Sequence, residues 1–272
     1  MRIGLIGDVH CAEDKLSYAL NELSSMGLNM LLAVGDYLNG PGNINHCMRM
    51  LQEHSVICVN GNHDVHMPSQ QEEYEAWEKR EKENALKYPE LVRNQSTWAV
   101  LYAPTPYIPS KPDPRKEFSP PEFPYKKTET HWSEIDDDTR AFIESLPTHR
   151  EIDTPDGKLL LCHGMGSSVY EYVPPEVFQK PQECLHYERL SELNTIVSEK
   201  KYTFIVSGHT HKANLALHEG IVFANAGAIG GGFYSCYCVL DTSLRELEIY
   251  RFWTSEKRKL KGPIKMRVPV SH

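Results

Sequence analysis

Short apolar runs alternate with amphipathic stretches through the first third of the chain. Residues 3–6 form an uninterrupted apolar run, which predicts a buried strand. Residues 14–25 place Leu16, Ala19, Leu20 and Leu23 at helical spacing, and Gly27 ends that helix. Residues 30–34 predict a second strand, residues 44–53 a second helix and residues 56–59 a third strand. Strands alternating with helices imply βαβ units around a buried parallel sheet.

The pattern then changes. Residues 65–132 are polar, charged and proline-rich. Within them residues 69–87, rich in Glu and Lys, predict a helix, and residues 102–127 gather prolines with Tyr107, Phe118, Phe123 and Tyr125. So long a stretch without strand pattern is uncommon unless it carries function, and it reads as an inserted, cap-like region packed over or beside a site. Regular patterning returns with a helix at 135–146, a strand at 158–162, an amphipathic helix at 185–198 and a strand at 203–206. The runs at 222–223, 234–240 and 247–252 predict consecutive strands of a second sheet. Residues 1–272 thus read as a single domain with an insertion at 65–132 and a basic, solvated tail at 257–272.

Five short polar motifs sit where apolar runs end: Gly7-Asp8-Val9-His10, Gly35-Asp36, Gly61-Asn62-His63-Asp64, His163-Gly164 and Gly208-His209-Thr210-His211. In open α/β sheets the ligand crevice lies beyond the carboxyl ends of the strands, so these motifs should converge. The donors are two Asp, one Asn and four His: Asp8, Asp36, Asn62, His10, His163, His209 and His211. Mixed oxygen and imidazole donors suit Mn, Fe, Zn, Ni or Co rather than Ca. Seven donors are too many for one ion and fit two that share a carboxylate. A pair of ions roughly 3.5–4 Å apart stabilises the attacking and leaving oxygens of in-line displacement at phosphorus, with a hydroxide between them as nucleophile.

Bulk properties narrow the reading. The 272 residues carry a formal net charge of −8, which disfavours nucleic acid as a partner and leaves a small phosphorylated substrate, nucleotides included. The basic tail is the one feature that points the other way. No apolar stretch approaches the roughly 18 residues of a spanning helix, so no membrane partner is expected. Seven scattered cysteines without a CxxC pair read as free thiols in a reducing compartment, and the first residues lack a signal-peptide pattern, so the expected location is cytoplasmic. Composition carries no signal for oligomeric state.

The order D-x-H, G-D, G-N-H-D, H-G, G-H-T-H resembles that of the calcineurin-like metallophosphoesterases, and spans Gly7 to His211. The resemblance implies a four-layer α/β/β/α sandwich of two mixed β-sheets flanked by helices. It also implies a dinuclear centre: Asp8, His10 and His211 for one ion, Asn62, His163 and His209 for the other, and Asp36 bridging. Mn is the ion expected to serve in vitro. It implies that His63 contacts phosphate and protonates the leaving oxygen, and that Asp64 orients His63. Asp36 is followed by Tyr37-Leu38-Asn39-Gly40, without the arginine that the protein Ser/Thr phosphatase branch carries a few residues after this Asp. The chain is therefore more similar to the small prokaryotic-type phosphoesterases, with a phosphodiester or nucleotide as the expected substrate. The alternatives are phosphomonoester or phosphoprotein hydrolysis, and a non-catalytic scaffold of the same fold. Tyr37, Asn39 and Asn43 are expected to line the substrate edge, and Asn225-Ala226-Gly227 to shape the crevice. The other eight histidines default to surface or local hydrogen bonding.

Overall fold

The computed structural model describes residues 1–65, 134–171, 191–230, 235–253, 258–259 and 262–269. The insertion at 65–132, except for Val65, lies outside the described residues, as do residues 172–190 and the end of the tail.

Two mixed sheets carry the fold. The first contains β1 (Arg2–Ile6), β2 (Met30–Ala33), β3 (Ile57–Cys58), β9 (Ser235–Asp241), β10 (Glu246–Trp253), β11 (Arg258–Lys259) and β12 (Ile264–Arg267). Its order is β11-β10-β9-β1-β2-β3, and β12 also pairs with β10. The second runs β4 (His149–Thr154), β5 (Gly157–Cys162), β6 (Phe204–Ser207), β8 (Ile221–Asn225), β7 (Asn214–His218). Strands β1, β2 and β3 are mutually parallel, as are β5, β6 and β8, so their carboxyl ends lie on common edges.

Three apolar clusters separate four layers. Ile3, Leu5, Leu159, Leu161, Phe204, Val206, Cys238 and Leu240 meet between the sheets. Tyr237, Val239 and Ile6, on the other face of the first sheet, meet α1 (Glu13–Ser24), α2 (Ile44–Glu53) and α4 (Asp137–Ser145). Leu160, Cys162 and Ile205 meet α5 (Ser191–Glu199) on the far side of the second sheet. Successive residues of a strand point to opposite faces, so the part of a strand covered on both must be apolar, as residues 3–6 of β1, 159–162 of β5, 204–206 of β6 and 236–240 of β9 are. Helix α1 buries Leu16, Ala19, Leu20 and Leu23 at the predicted spacing, with Glu13 and Asp14 at its positive end. This is the α/β/β/α sandwich that the motifs implied.

Two expectations need correction. Only β8 of the three late runs joins the second sheet; β9 pairs antiparallel with β1 (Ile3↔Leu240), and β10 follows it into the first sheet. The 257–272 tail is not simply solvated: β12 pairs with β10 (Leu247↔Met266), and Met266 packs against the inter-sheet core while Lys265 faces Glu246 and Glu248. Half-covered edge strands read as polar segments, because one face is charged. The same reason hid β4, an edge of the second sheet that presents Arg150, Glu151 and Asp153 at its surface.

Candidate metal centre

All five motifs occupy the turns that leave β1, β2, β3, β5 and β6. These turns are tight. His10, Asp36, Asn39, His209 and His211 all have left-handed backbones, with φ between 45° and 67°. Such a conformation is uncommon outside glycine and persists only where the surroundings enforce it. Close backbone crossings enforce it here. A Cβ on Gly7 would stand 1.8 Å from the Gly227 carbonyl oxygen, and one on Gly40 1.6 Å from the His10 carbonyl oxygen. Gly40→Ala should therefore lower the stability of the metal-free protein by about 2–4 kcal/mol, measured by urea unfolding, because a rigid backbone must shift. An unchanged midpoint would show that the His10 and Gly40 turns are not packed this way.

The seven donors form two groups that share one residue. Ligand atoms of Asp8, His10, Asp36 and His211 lie within 4.8 Å of one another, as do those of Asp36, His163 and His209. Asn62 joins the second group, its Oδ1 standing 2.9 Å from His163 Nε2 and 2.8 Å from His209 Nδ1. In the first group His10 Nε2 and His211 Nε2 are 3.2 Å apart. Backbone carbonyls set the tautomers: His10 Nδ1 donates to Leu38 at 2.9 Å and His163 Nδ1 to Val34 at 2.8 Å. Both rings are thereby left with Nε2 facing the centre, the arrangement that orients metal-binding imidazoles.

Charge argues for cations here. Asp8, Asp36 and Asp64 are buried together. Burial raises the Asp8 carboxyl above its ordinary range. Burial and the neighbouring Asp36 push Asp64 up to about 7. For Asp36 burial works the same way, but it is outweighed by the charge and hydrogen bond of His163 and by His63 and His10, which hold the carboxyl well below its usual value. Conversely, burial disfavours the His163 imidazolium, yet Asp36, with Asp8 and Asp64, raises it to about 9. Burial lowers His10 to about 3 and, with the His163 charge, His209 to about 4, so those rings stand neutral with lone pairs available. Asp8 Oδ2 is buried with no hydrogen-bond donor. A buried carboxylate oxygen without a donor is costly unless a cation meets it. The residues present fit divalent metal ions.

Residues 1–213 match the model of the calcineurin-like phosphoesterase family. The chain belongs to that family. It is 22% identical, over 281 residues covering 98% of this chain and 93% of the relative, to the uncharacterized protein MJ0912 of Methanocaldococcus jannaschii. Among solved structures it is similar in fold to the hypothetical protein PH1004 from Pyrococcus horikoshii OT3, with TM-score 0.58, 10% identity, and coverage of 92% of this chain and 87% of that one. A metallophosphoesterase from Sphaerobacter thermophilus shares the fold with TM-score 0.53, 19% identity, and coverage of 94% and 91%. As a calcineurin-like phosphoesterase, the chain is a phosphoric ester hydrolase that uses divalent metal ions and acts on small phosphorylated substrates. Among the described residues no helix is long and apolar enough to cross a membrane.

The structure brings together every residue expected at the site but engages Asp64 differently. Asp64 Oδ1 accepts the backbone N–H of Tyr37 at 2.9 Å and of Leu38 at 3.2 Å, and Oδ2 that of Gly61 at 2.8 Å. The group at His63 Nδ1 is instead the Asn39 side-chain amide, 2.8 Å away. Asp64 thus acts on the His63 region through the backbone of the loop after Asp36. Two edge residues are also corrected. Tyr37 is fully buried with its hydroxyl donating to the Val59 carbonyl, and Asn43 caps α2 by accepting the His46 N–H. Asn225 does shape the crevice: its amide donates to the Gly208 carbonyl and accepts from Gly227 N–H, tying the His209 turn to β8. Of the remaining histidines, His46 pairs with Glu13 at the surface, between α2 and α1, and His54 donates locally to the Met50 carbonyl. His66, His131, His186 and His272 lie outside the described residues.

Proposed function

We propose that the chain is a dinuclear-metal phosphoesterase whose favoured substrate is a phosphodiester or nucleotide. The observation that carries this reading is the sharing of Asp36 by both donor groups. Asp8, His10 and His211 would hold one ion, Asn62, His163 and His209 the other, with Asp36 between them. When bound, the ions supply an activated water and offset the charge that builds on the phosphoryl oxygens. The protein's own residues do the rest. Asp36 Oδ1 accepts the His63 backbone N–H at 2.9 Å, which fixes the start of the short helix α3 (Asn62–Val65). His63 Nε2 lies 3.9 Å from Asp36 Oδ2 at the border of the donor set, and its side chain is 9% exposed. From there His63 donates its Nε2 proton to the departing oxygen as the ester P–O bond breaks and the electron pair leaves on that oxygen.

Position 40, which matches the arginine of the protein phosphatase branch's D-x-x-D-R-G, holds a glycine. Without that cation a singly charged diester is favoured over a monoester dianion. Substrate choice within the class we assign to the 65–132 insertion, whose sequence holds aromatic residues able to stack a base (Tyr107, Tyr125, Trp132) and basic ones able to meet phosphate (Arg115, Lys116, Lys126, Lys127). The reading includes a cytoplasmic setting and Mn as the ion that serves in vitro. The test is a phosphate-release screen of the Mn-loaded protein over bis(p-nitrophenyl) phosphate, nucleotides, cyclic nucleotides, dinucleoside polyphosphates and phosphopeptides. Diester or nucleotide turnover well above phosphopeptide turnover is expected. A phosphopeptide preference would reverse the substrate assignment. Silence across the panel with Mn, Ni, Co, Zn and Mg would favour a scaffold.

A further inference from the structure

We propose that the edge of the sandwich between β3 and β4 is a binding site for a small apolar carboxylate, with Arg150 as its anion anchor. No metal donor belongs to it, so it stands apart from the reading given above. Both sheets end here: among the described residues β3 pairs only with β2, and β4 only with β5. A cavity of about 350 Å³ lies between the two end strands and α4, within the range of small-molecule sites. Two apolar clusters come to the surface in its walls. Ile57 and Ile152 are the half-buried margin of the inter-sheet core, and Phe142 is that of the cluster between the first sheet and its helices. Val56 and Leu146, both buried, complete the apolar lining. A ligand that covers these half-buried groups gains from removing them from water.

The polar chemistry of the lining is one-sided. Arg150 Nε donates to the Cys58 carbonyl at 3.1 Å, reaching from one sheet to the other. That bond holds the guanidinium at the cavity, and among the described residues Nη1 and Nη2 meet no hydrogen-bond acceptor. Two N–H groups side by side on a planar cation match the two oxygens of a carboxylate. The acidic residue of the lining, Glu151, is already committed. Its carboxylate accepts from Lys158 at 3.4 Å, from Tyr202 at 2.6 Å and from Lys201. The Cys58 thiol donates to the Val56 carbonyl at 3.5 Å. The charge left to be met at the cavity is therefore a single positive one. Free phosphate would gain the guanidinium alone, and a neutral apolar molecule the lining alone. An apolar carboxylate gains both.

The experiment is methyl NMR of Zn-loaded protein labelled at isoleucine, leucine and valine, titrated in turn with octanoate, acetate and 1-octanol at the same millimolar concentrations. Octanoate should shift the methyl signals of Val56, Ile57, Leu146 and Ile152, assigned from conservative variants such as Ile57→Val and Ile152→Val. It should leave in place those of Leu160 and Ile205, on the far side of the second sheet. Acetate, which has the charge alone, and 1-octanol, which has the apolar body alone, should not shift the four edge signals. Acetate also controls for carboxylates that coordinate the metal ions, which would move Val9 and Val34, the valines flanking the donors Asp8, His10 and Asp36. Arg150→Gln should weaken octanoate about tenfold or more. Arg150→Lys, which keeps the charge and loses the paired N–H groups, should fall between. Arg150 is exposed, so both variants should fold, and unmoved core methyl signals check that they do. Equal shifts with 1-octanol would make the edge a general apolar contact, and unchanged affinity in Arg150→Gln would remove the anchor. Octanoate shifts confined to Val9 and Val34 would place the carboxylate on the metal ions. Each of these results, or no shift at all, overturns the proposal, whatever the metal centre proves to do.

Discussion

Asp36→Ala should lose both ions and on the order of 10³-fold or more of the phosphoesterase rate. Among the described residues no other side chain belongs to both donor groups, so no other single truncation there should empty both. The loss reaches further than coordination. Asp36 is the main partner that keeps His163 charged without metal, and its Oδ1 anchors the His63 backbone. The electrostatics set a pH window for the metal-free wild type. His163 is raised from 6.5 to about 9, so its contribution to stability is complete below 6.5 and fades as pH rises through about 9. Asp36 is depressed, so its contribution is present above the ordinary carboxylate value of 3.8 and fades as pH falls below it. Metal uptake at neutral pH must displace the His163 proton, so binding should release acid and weaken as pH falls. Elemental analysis and urea unfolding of Asp36→Ala check both parts. Full activity in the purified variant would remove the shared carboxylate from the account.

His63→Ala separates chemistry from binding. His63 lies outside both donor groups, so the variant should keep its metal content. Its kcat should nevertheless fall about 10²- to 10⁴-fold, the usual range for a lost general acid, with the greater loss on esters whose leaving oxygen is more basic. KM should change little, since the ring's contribution is realised as the bond breaks. A fall in metal content equal to that of Asp36→Ala would make His63 a ligand. Unaltered turnover would make it a bystander.

What could be read from the chain follows from which forces act locally. Strands β1, β2, β5 and β6 were legible because both faces of their central residues are buried, which leaves short unbroken apolar runs at 3–6, 30–34, 159–162 and 204–206. The donors were legible because Asp and His stand directly after those runs, where a parallel strand delivers them to one edge. Sheet membership was not legible. Whether β9 goes beside β1 or beside β8 depends on pairing across more than 200 residues, as between Ile3 and Leu240, and alternation alone cannot choose. Strands β4 and β12 escaped because an edge strand presents a charged face to solvent, and Lys158, Lys201 and Glu151 on and beside β4 mask its pattern. That Asn39 rather than Asp64 meets the His63 ring was hidden for a subtler reason. It depends on the left-handed turn at Asp36 and Asn39, which directs one side chain at the His63 ring and leaves the carboxylate to gather backbone N–H groups. The Asn-Gly pair three residues beyond Asp36 was the available signal for that turn.

The central claim is a centre built for two ions around one carboxylate, and calorimetric titration of metal-free protein with Mn at neutral pH tests it most directly. Two ions should bind per chain with release of protons, and neither should bind at the same concentration in Asp36→Ala. A single ion per chain, or two ions bound equally well without Asp36, would contradict it.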